Sequence, residues 1–161
     1  MTAGAAAKDR VEMAREFELP PERVFRALTD PVELTSWWGA KSSWWMAAAA
    51  VDLKPGGSYR FDFVDGRGGT ASITGEFRVV DRPRRLVQTW RNSMFPGVEN
   101  LLEYRLEPYG SGTRLYLTHS ELDAAGFDDY SKGWIGVLLK LSIYVAAVAV
   151  QLAASARVTE E

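Results

Sequence analysis

Cysteine is absent from this chain of 161 residues, and histidine occurs only once, as His119. The absence of thiols excludes disulfides, cysteine catalysis and thiolate metal sites. A zinc site built on one imidazole would need carboxylates for its other ligands, which is uncommon. We therefore expect no metal and no cofactor.

Net charge is also small, since 19 lysines and arginines oppose 21 aspartates and glutamates to give -2 at pH 7. So slight a charge offers no electrostatic attraction for nucleic acid or for an anionic membrane, and we expect neither as a partner. The first ten residues, MTAGAAAKDR, lack an apolar core of signal-peptide length. By default, this predicts a cytoplasmic protein.

What the chain does contain is the composition of a globular protein: 47% of its residues are hydrophobic and 12% are aromatic. Its length fits one domain with one core. We place that domain at residues 11–156, between a flexible, alanine-rich N-terminal tail (1–10) and a short C-terminal tail (157–161).

The longest apolar stretch lies near the C-terminus and has the period of a helix. Its apolar residues recur at steps of three and four, which places them on one stripe: Tyr130, Trp134, Val137, Leu138, Leu141, Val145, Val148 and Leu152. Such a helix would be roughly 34 Å long, enough to cross a small domain. Lys140 lies in its middle, where a charge would cost about 2.5–3.5 kcal/mol in a bilayer. We therefore predict a core helix rather than a membrane span.

The N-terminal part of the domain predicts one strand and two short helices. Val11–Glu18 alternates apolar and polar residues and is typical of an edge strand. Pro20–Glu22 then opens a helix, since proline is tolerated in a first turn. The second helix begins at Asp30, its predicted N-cap, with Glu33 reaching back to the cap, and ends at Gly39.

Between these helices and the final one, apolar and polar residues alternate in about six runs separated by turn residues. The longest predicted strand is Thr70–Asp81. Val79 is expected on its inward face, and Gly75 suggests a bulge or a bend. Asp128 or Asp129 is expected to cap the final helix. Strands joined by hairpins form an antiparallel meander whose apolar face must be covered. We therefore predict an α+β fold in which a curved antiparallel sheet wraps around the long C-terminal helix.

A second apolar stripe, formed by Ile135, Leu139 and Ile143, lies on the other side of the final helix. Two explanations fit it: a contact between two copies in a homodimer, or extra packing against the two short helices.

Four of the six tryptophans, Trp37, Trp38, Trp44 and Trp45, lie close together. Core filling is the common explanation for tryptophan. A loop around Ser42–Ser43 cannot bury every ring, however, so the alternatives are the mouth of a ligand cavity or a surface for a protein partner.

Short motifs spread over residues 11–145 carry a family resemblance. They include PERVFRALTDP at 21–31, DLKPGG at 52–57, GEF at 75–77 and Gly133-Trp134. In this order and spacing they resemble the helix-grip superfamily of START domains and polyketide cyclases, and most closely the group named after the activator of Hsp90 ATPase (AHSA1-like). The resemblance implies the helix-grip fold, with a cavity between sheet and helix in which family members often bind apolar ligands.

The residues expected to line such a cavity are those on inward-facing positions of the strands and of the final helix. They are Trp37, Trp38, Phe61, Phe63, Ile73, Phe77, Trp90, Leu102, Tyr104, Leu117, His119, Trp134 and Leu138. Aromatic rings both line pockets and fill cores, so the sequence leaves open whether this space is empty.

His119 is the one side chain suited to acid–base chemistry near neutral pH, with Glu121 two residues later. We favour a structural histidine, because the sequence contains no recognisable catalytic relay. Three functions follow: a binding module for a small apolar or amphipathic molecule, a co-chaperone-like interaction protein, or a cyclase-like enzyme that uses His119 and Tyr104. The first is preferred, and enzymatic activity is not expected.

Overall fold

The computed structural model describes residues 9–39 and 44–159. The expected N-terminal tail therefore lies outside the described residues up to position 8, as does the predicted loop at Ser42–Ser43. The elements in chain order are β1 (Arg10–Phe17), α1 (Pro21–Thr29), α2 (Pro31–Trp37), β2 (Trp45–Val51), β3 (Ser58–Val64), β4 (Thr70–Asp81), β5 (Arg85–Asn92), β6 (Asn100–Tyr109), β7 (Gly112–Ser120) and α3 (Ala124–Thr159).

The seven strands form one sheet in the order β1-β7-β6-β5-β4-β3-β2, with every neighbouring pair antiparallel. From β2 to β7 each strand pairs with the next one in the chain, as hairpin connections require. β1 closes the far edge beside β7, so the predicted edge strand is confirmed. Inward side chains of the strands share one core with α1, α2 and α3. The α+β helix-grip fold is therefore confirmed.

The bulge in β4 lies between Phe77 and Val79, beyond Gly75 where the sequence suggested it. The pairing of β4 with β5 shifts register between Phe77 and Val79, and Val80 rather than Val79 packs against the core. Our assignment of Val79 to the inward face was wrong, because one extra residue in a strand reverses the alternation that follows it. Gly75 has a different role: a Cβ there would overlap the backbone oxygen of Thr89 on β5.

Asp30 caps α2 as predicted, since its carboxylate accepts hydrogen bonds from the backbone N–H groups of Val32 and Glu33 at 2.9 and 3.1 Å. Glu33 does not reach back to the cap, so that part of the prediction was wrong. The Asp30 N–H is already donated to the Arg26 carbonyl at the end of α1, which leaves no donor for a capping box.

Glu33 instead forms a buried polar link between the three helices. Its carboxylate accepts hydrogen bonds from Arg23 at 2.6 Å and from the Tyr144 hydroxyl at 2.7 Å, and it pairs with Arg26 at 2.9 Å. A carboxylate this buried requires such partners, because an unpaired buried charge is costly. The link fixes the two short helices against the middle of α3.

Helix α3 begins before the aspartates that we expected to cap it. Asp123 accepts a hydrogen bond from the Gly126 N–H at 2.7 Å, which identifies it as the capping side chain. Asp128 and Asp129 lie inside the helix, so the predicted cap was wrong. At its other end, α3 continues to Thr159 and takes in residues that we had assigned to the C-terminal tail.

The two stripes of α3 differ in burial. Trp134, Val137, Leu138, Leu141 and Val145 are buried against the sheet, whereas every described side chain from Gln151 to Val158 is exposed. Ile135, Leu139 and Ile143 are more than half exposed, so packing against the two short helices was the wrong explanation for the second stripe. Within the described chain, α3 is also long and apolar enough to cross a membrane.

Candidate ligand-binding site

An open cavity of about 190 Å³ lies between the first half of α3 and the inner face of β3, β4 and β5. Its walls are mostly aromatic and aliphatic. The lining residues are Trp38, Trp44, Phe63, Ala71, Ile73, Trp90, Asn92, Met94, Phe95, Asp129, Tyr130, Gly133, Trp134 and Val137. Engineered apolar cavities of about 150 Å³ bind benzene, and drug-sized ligands need about 300–1,000 Å³. The space therefore suits a molecule of one or two rings.

Three tryptophan rings build the inner wall. The Trp134 ring on α3 lies 5.7 Å from that of Trp38 and 5.6 Å from that of Trp90, and Phe63 on β3 lies 6.2 Å from Trp38. Such tilted and edge-on contacts are the favoured arrangement of aromatic pairs, so the wall is rigid. The inner wall is therefore a well-packed aromatic surface.

Gly133 explains why the space is open on the helix side. Gly133 lines the cavity, and a Cβ built at this position would meet no atom within 4 Å. Glycine in a helix interior costs up to about 1 kcal/mol relative to alanine. The sequence thus places its least helix-favouring residue other than proline where a side chain would enter the cavity.

Among the described lining residues, Tyr130 alone carries a hydroxyl. Its oxygen accepts hydrogen bonds from Trp90 Nε1 at 3.0 Å and from Asn92 Nδ2 at 3.1 Å. Burial raises the pKa of this phenol above its ordinary value, so the group is a neutral hydroxyl at physiological pH. Asp129, one residue earlier, adds an exposed carboxylate at the mouth.

The structure divides the residues that we expected to line the cavity. Trp38, Phe63, Ile73, Trp90 and Trp134 lie on its wall. The others are buried in the core and do not line it: Trp37, Phe61, Phe77, Leu102, Tyr104, Leu117, His119 and Leu138. Sequence reasoning missed the loop after β5, from which Met94 and Phe95 reach the mouth.

The tryptophan-rich segment also divides. Trp37 and Trp38 are buried, Trp44 is half-buried on the cavity wall, and Trp45 is 47% exposed. Part of the expected loop is the start of β2. Side chains alternate between the two faces of this strand, so Trp45 points outward and lies next to Gly66. Core filling and a cavity mouth, which we had treated as alternatives, therefore both apply.

His119 lies behind the cavity wall and supports it. The side chain is fully buried, and its Nδ1 accepts a hydrogen bond from Trp134 Nε1 at 3.0 Å. Because an indole N–H can only donate, Nδ1 carries no proton and the neutral ring has its hydrogen on Nε2. Burial lowers the pKa of His119 to about 3. The imidazole therefore stays neutral and orients the Trp134 ring.

A family model for activator of Hsp90 ATPase homolog 1-like protein matches residues 18–146. The chain belongs to this family. The match confirms the resemblance inferred from the short motifs, and α3 continues beyond it to Thr159. The comparison with curated proteins finds no match.

Solved structures share this AHSA1-like fold over nearly their whole length. A Rhodobacter sphaeroides protein is 25% identical, with a TM-score of 0.78 over 90% of this chain and 97% of its own. An AHSA1-like protein from Aeromonas hydrophila is 23% identical, with a TM-score of 0.74 over 87% of this chain and 94% of its own. An HSP90 activator from Plasmodium falciparum is 24% identical, with a TM-score of 0.68 over 86% and 96%.

Proposed function

We propose that this AHSA1-like protein binds a small apolar or amphipathic molecule in the cavity between α3 and the sheet. The observation that carries the proposal is the cavity of about 190 Å³ with its wall of tryptophan rings. Water in an apolar space finds few hydrogen-bond partners, so its replacement by an apolar ligand is favourable. The rigid wall adds affinity because little side-chain entropy is lost on binding.

A cyclase-like reaction at His119 and Tyr104 has less support. Both side chains are buried and neither lines the cavity, so neither reaches a molecule bound there. Burial also moves their pKa values away from neutrality, downward for the imidazole and upward for the phenol. An acid–base catalyst needs a pKa near the working pH and contact with the transferred proton.

The purified protein tests the binding proposal directly. Native mass spectrometry should detect a copurifying molecule of low mass, titration calorimetry with toluene and with indole should give saturable heats, and toluene should also change the tryptophan fluorescence. The fluorescence change is expected because four of the six tryptophans line the cavity, so a bound molecule alters their surroundings. The proposal fails if the protein is isolated empty and neither compound binds up to its solubility limit.

We also propose that the exposed stripe of α3 contacts a second copy of the chain. Ile135, Leu139, Ile143 and Val150 are 51–66% exposed and follow one face of the helix. Monomers rarely leave a contiguous apolar face of this length uncovered. None of the four is charged, so the same face of two copies can meet without repulsion in a two-fold contact.

Paired substitutions test this contact. Leu139→Glu with Ile143→Glu should convert a dimer to a monomer in light scattering and sedimentation, because two carboxylates would face their symmetry mates. Val32→Glu is the matched control, since Val32 is 75% exposed and lies on α2 rather than on the stripe of α3. A wild-type protein that is monomeric at high concentration contradicts the proposal. Binding of the wild type to neutral vesicles would assign the stripe to a membrane instead. A cytoplasmic location remains a prediction.

A further inference from the structure

The hydrogen-bond partners of Tyr130 leave one group on the cavity wall ready to bind a ligand. A tyrosine hydroxyl has two acceptor positions and one hydrogen to donate. Trp90 Nε1–H and Asn92 Nδ2–H occupy both acceptor positions. Both of the side-chain hydrogen bonds that the Tyr130 hydroxyl makes to described residues are ones it accepts, and its own O–H donates to neither partner. The hydroxyl is therefore oriented by its neighbours and has its own hydrogen available.

Three other polar groups on the wall already have partners. Asn92 Oδ1 accepts a hydrogen bond from the Met94 N–H at 2.9 Å, and Trp134 Nε1 donates to His119. Trp90 Nε1 is held by Tyr130 itself. The inner wall thus offers a ligand the Tyr130 O–H as a hydrogen-bond donor, while the Tyr130 oxygen and Asn92 Oδ1 already accept hydrogen bonds from the protein. The only charged side chain on the wall is the Asp129 carboxylate at the mouth, among the described lining residues.

We propose that the ligand is an uncharged molecule of one or two rings with a hydrogen-bond acceptor, such as a carbonyl oxygen, that receives the Tyr130 O–H. This inference rests on the proposed binding function and specifies its chemistry. The volume sets the size of the ring system, and the aromatic wall holds its apolar part. Asp129 disfavours a carboxylate ligand, because two like charges would lie close together at the mouth.

Two probes of nearly the same shape test the inference. Acetophenone has a carbonyl oxygen where α-methylstyrene has a methylene group, so they differ mainly in the acceptor. The carbonyl stretch of bound acetophenone should move to lower wavenumber than in an apolar solvent, a measurement that needs no variant. Benzoate, the charged analogue, should bind the wild type more weakly than acetophenone.

Tyr130→Phe should weaken acetophenone relative to α-methylstyrene by about 3- to 10-fold, the range of one neutral hydrogen bond. The hydrocarbon probe corrects for any change in cavity shape caused by loss of the contacts to Trp90 and Asn92. Tyr109→Phe is the matched control, because Tyr109 is 48% exposed and does not line the cavity. It should leave the ratio of the two affinities unchanged.

The outcomes separate this inference from the binding proposal. If both probes bind, but the carbonyl stretch is unshifted and Tyr130→Phe leaves the ratio unchanged, the acceptor is wrong and the apolar binding site stands. If benzoate binds more tightly than acetophenone, the requirement for an uncharged ligand is wrong. If neither neutral probe binds, both proposals fall together.

Discussion

Replacement of Gly133 by leucine is expected to abolish ligand binding and to leave the protein folded. The new side chain would enter the cavity, because a Cβ at this position meets no atom within 4 Å and the residue lines the wall. A ligand would then have to displace a side chain fixed to the helix, and we expect its affinity to fall by roughly 100-fold or more. Titration with toluene or indole measures the loss.

Gly133→Ala is the matched control for this substitution. Both variants gain the helix propensity that glycine lacks, which stabilises the folded state by up to about 1 kcal/mol. Alanine adds one methyl group and should keep most of the affinity, whereas leucine should remove it. Thermal unfolding should show both variants at least as stable as the wild type. Unchanged binding by Gly133→Leu would place the ligand elsewhere on the molecule.

The second large effect is a loss of stability in mild acid that is caused by His119. Its pKa is lowered to about 3 in the folded protein, from 6.5 for an exposed histidine. Between these values the unfolded chain binds a proton that the folded chain does not. The free energy of unfolding is therefore unaffected by this group above pH 6.5. From pH 6.5 down to pH 3, the free energy of unfolding should fall by about 1.4 kcal/mol per pH unit.

His119→Gln isolates this contribution. A glutamine amide oxygen can still accept the Trp134 N–H, but it does not titrate. Urea unfolding should be measured for wild type and variant at pH 7, 6, 5 and 4. As the pH falls, the unfolding free energy of the wild type should decrease relative to that of the variant. Carboxylates titrate in both proteins and cancel in this difference. A constant difference would mean that the folded protein accommodates a protonated His119.

The sequence predicted well where structure depends on near neighbours in the chain. Thr70–Asp81 is a strand with the predicted bounds, because alternation with period two and the turn residues that flank it are local signals. Asp30 caps α2 because an N-cap side chain needs only the N–H groups two and three residues later.

Prediction failed where a distant group decided the outcome. The partners of Glu33 come from α1 and from Tyr144 on α3, so its local capping pattern was overruled by the packing of three helices. The bulge near Val79 depends on how β4 pairs with β5. Tyr130 was predicted on the inward stripe of the helix, and Gly133 was a glycine inside a predicted helix. These were signals for both residues, yet neither was assigned to the cavity.

By itself, the sequence determined the order of the elements, the antiparallel sheet, the covering helix and the family, because hydrophobic period and turn chemistry act over a few residues. Only the tertiary structure decided which inward rings line a cavity and which fill the core. Strand alternation places Phe61 and Phe63 on the same face, but of the two only Phe63 lines the cavity, on whose helix side Gly133 has no side chain to fill the space. The separation between helix and sheet at each position depends on both surfaces at once, and no stretch of one element contains that information.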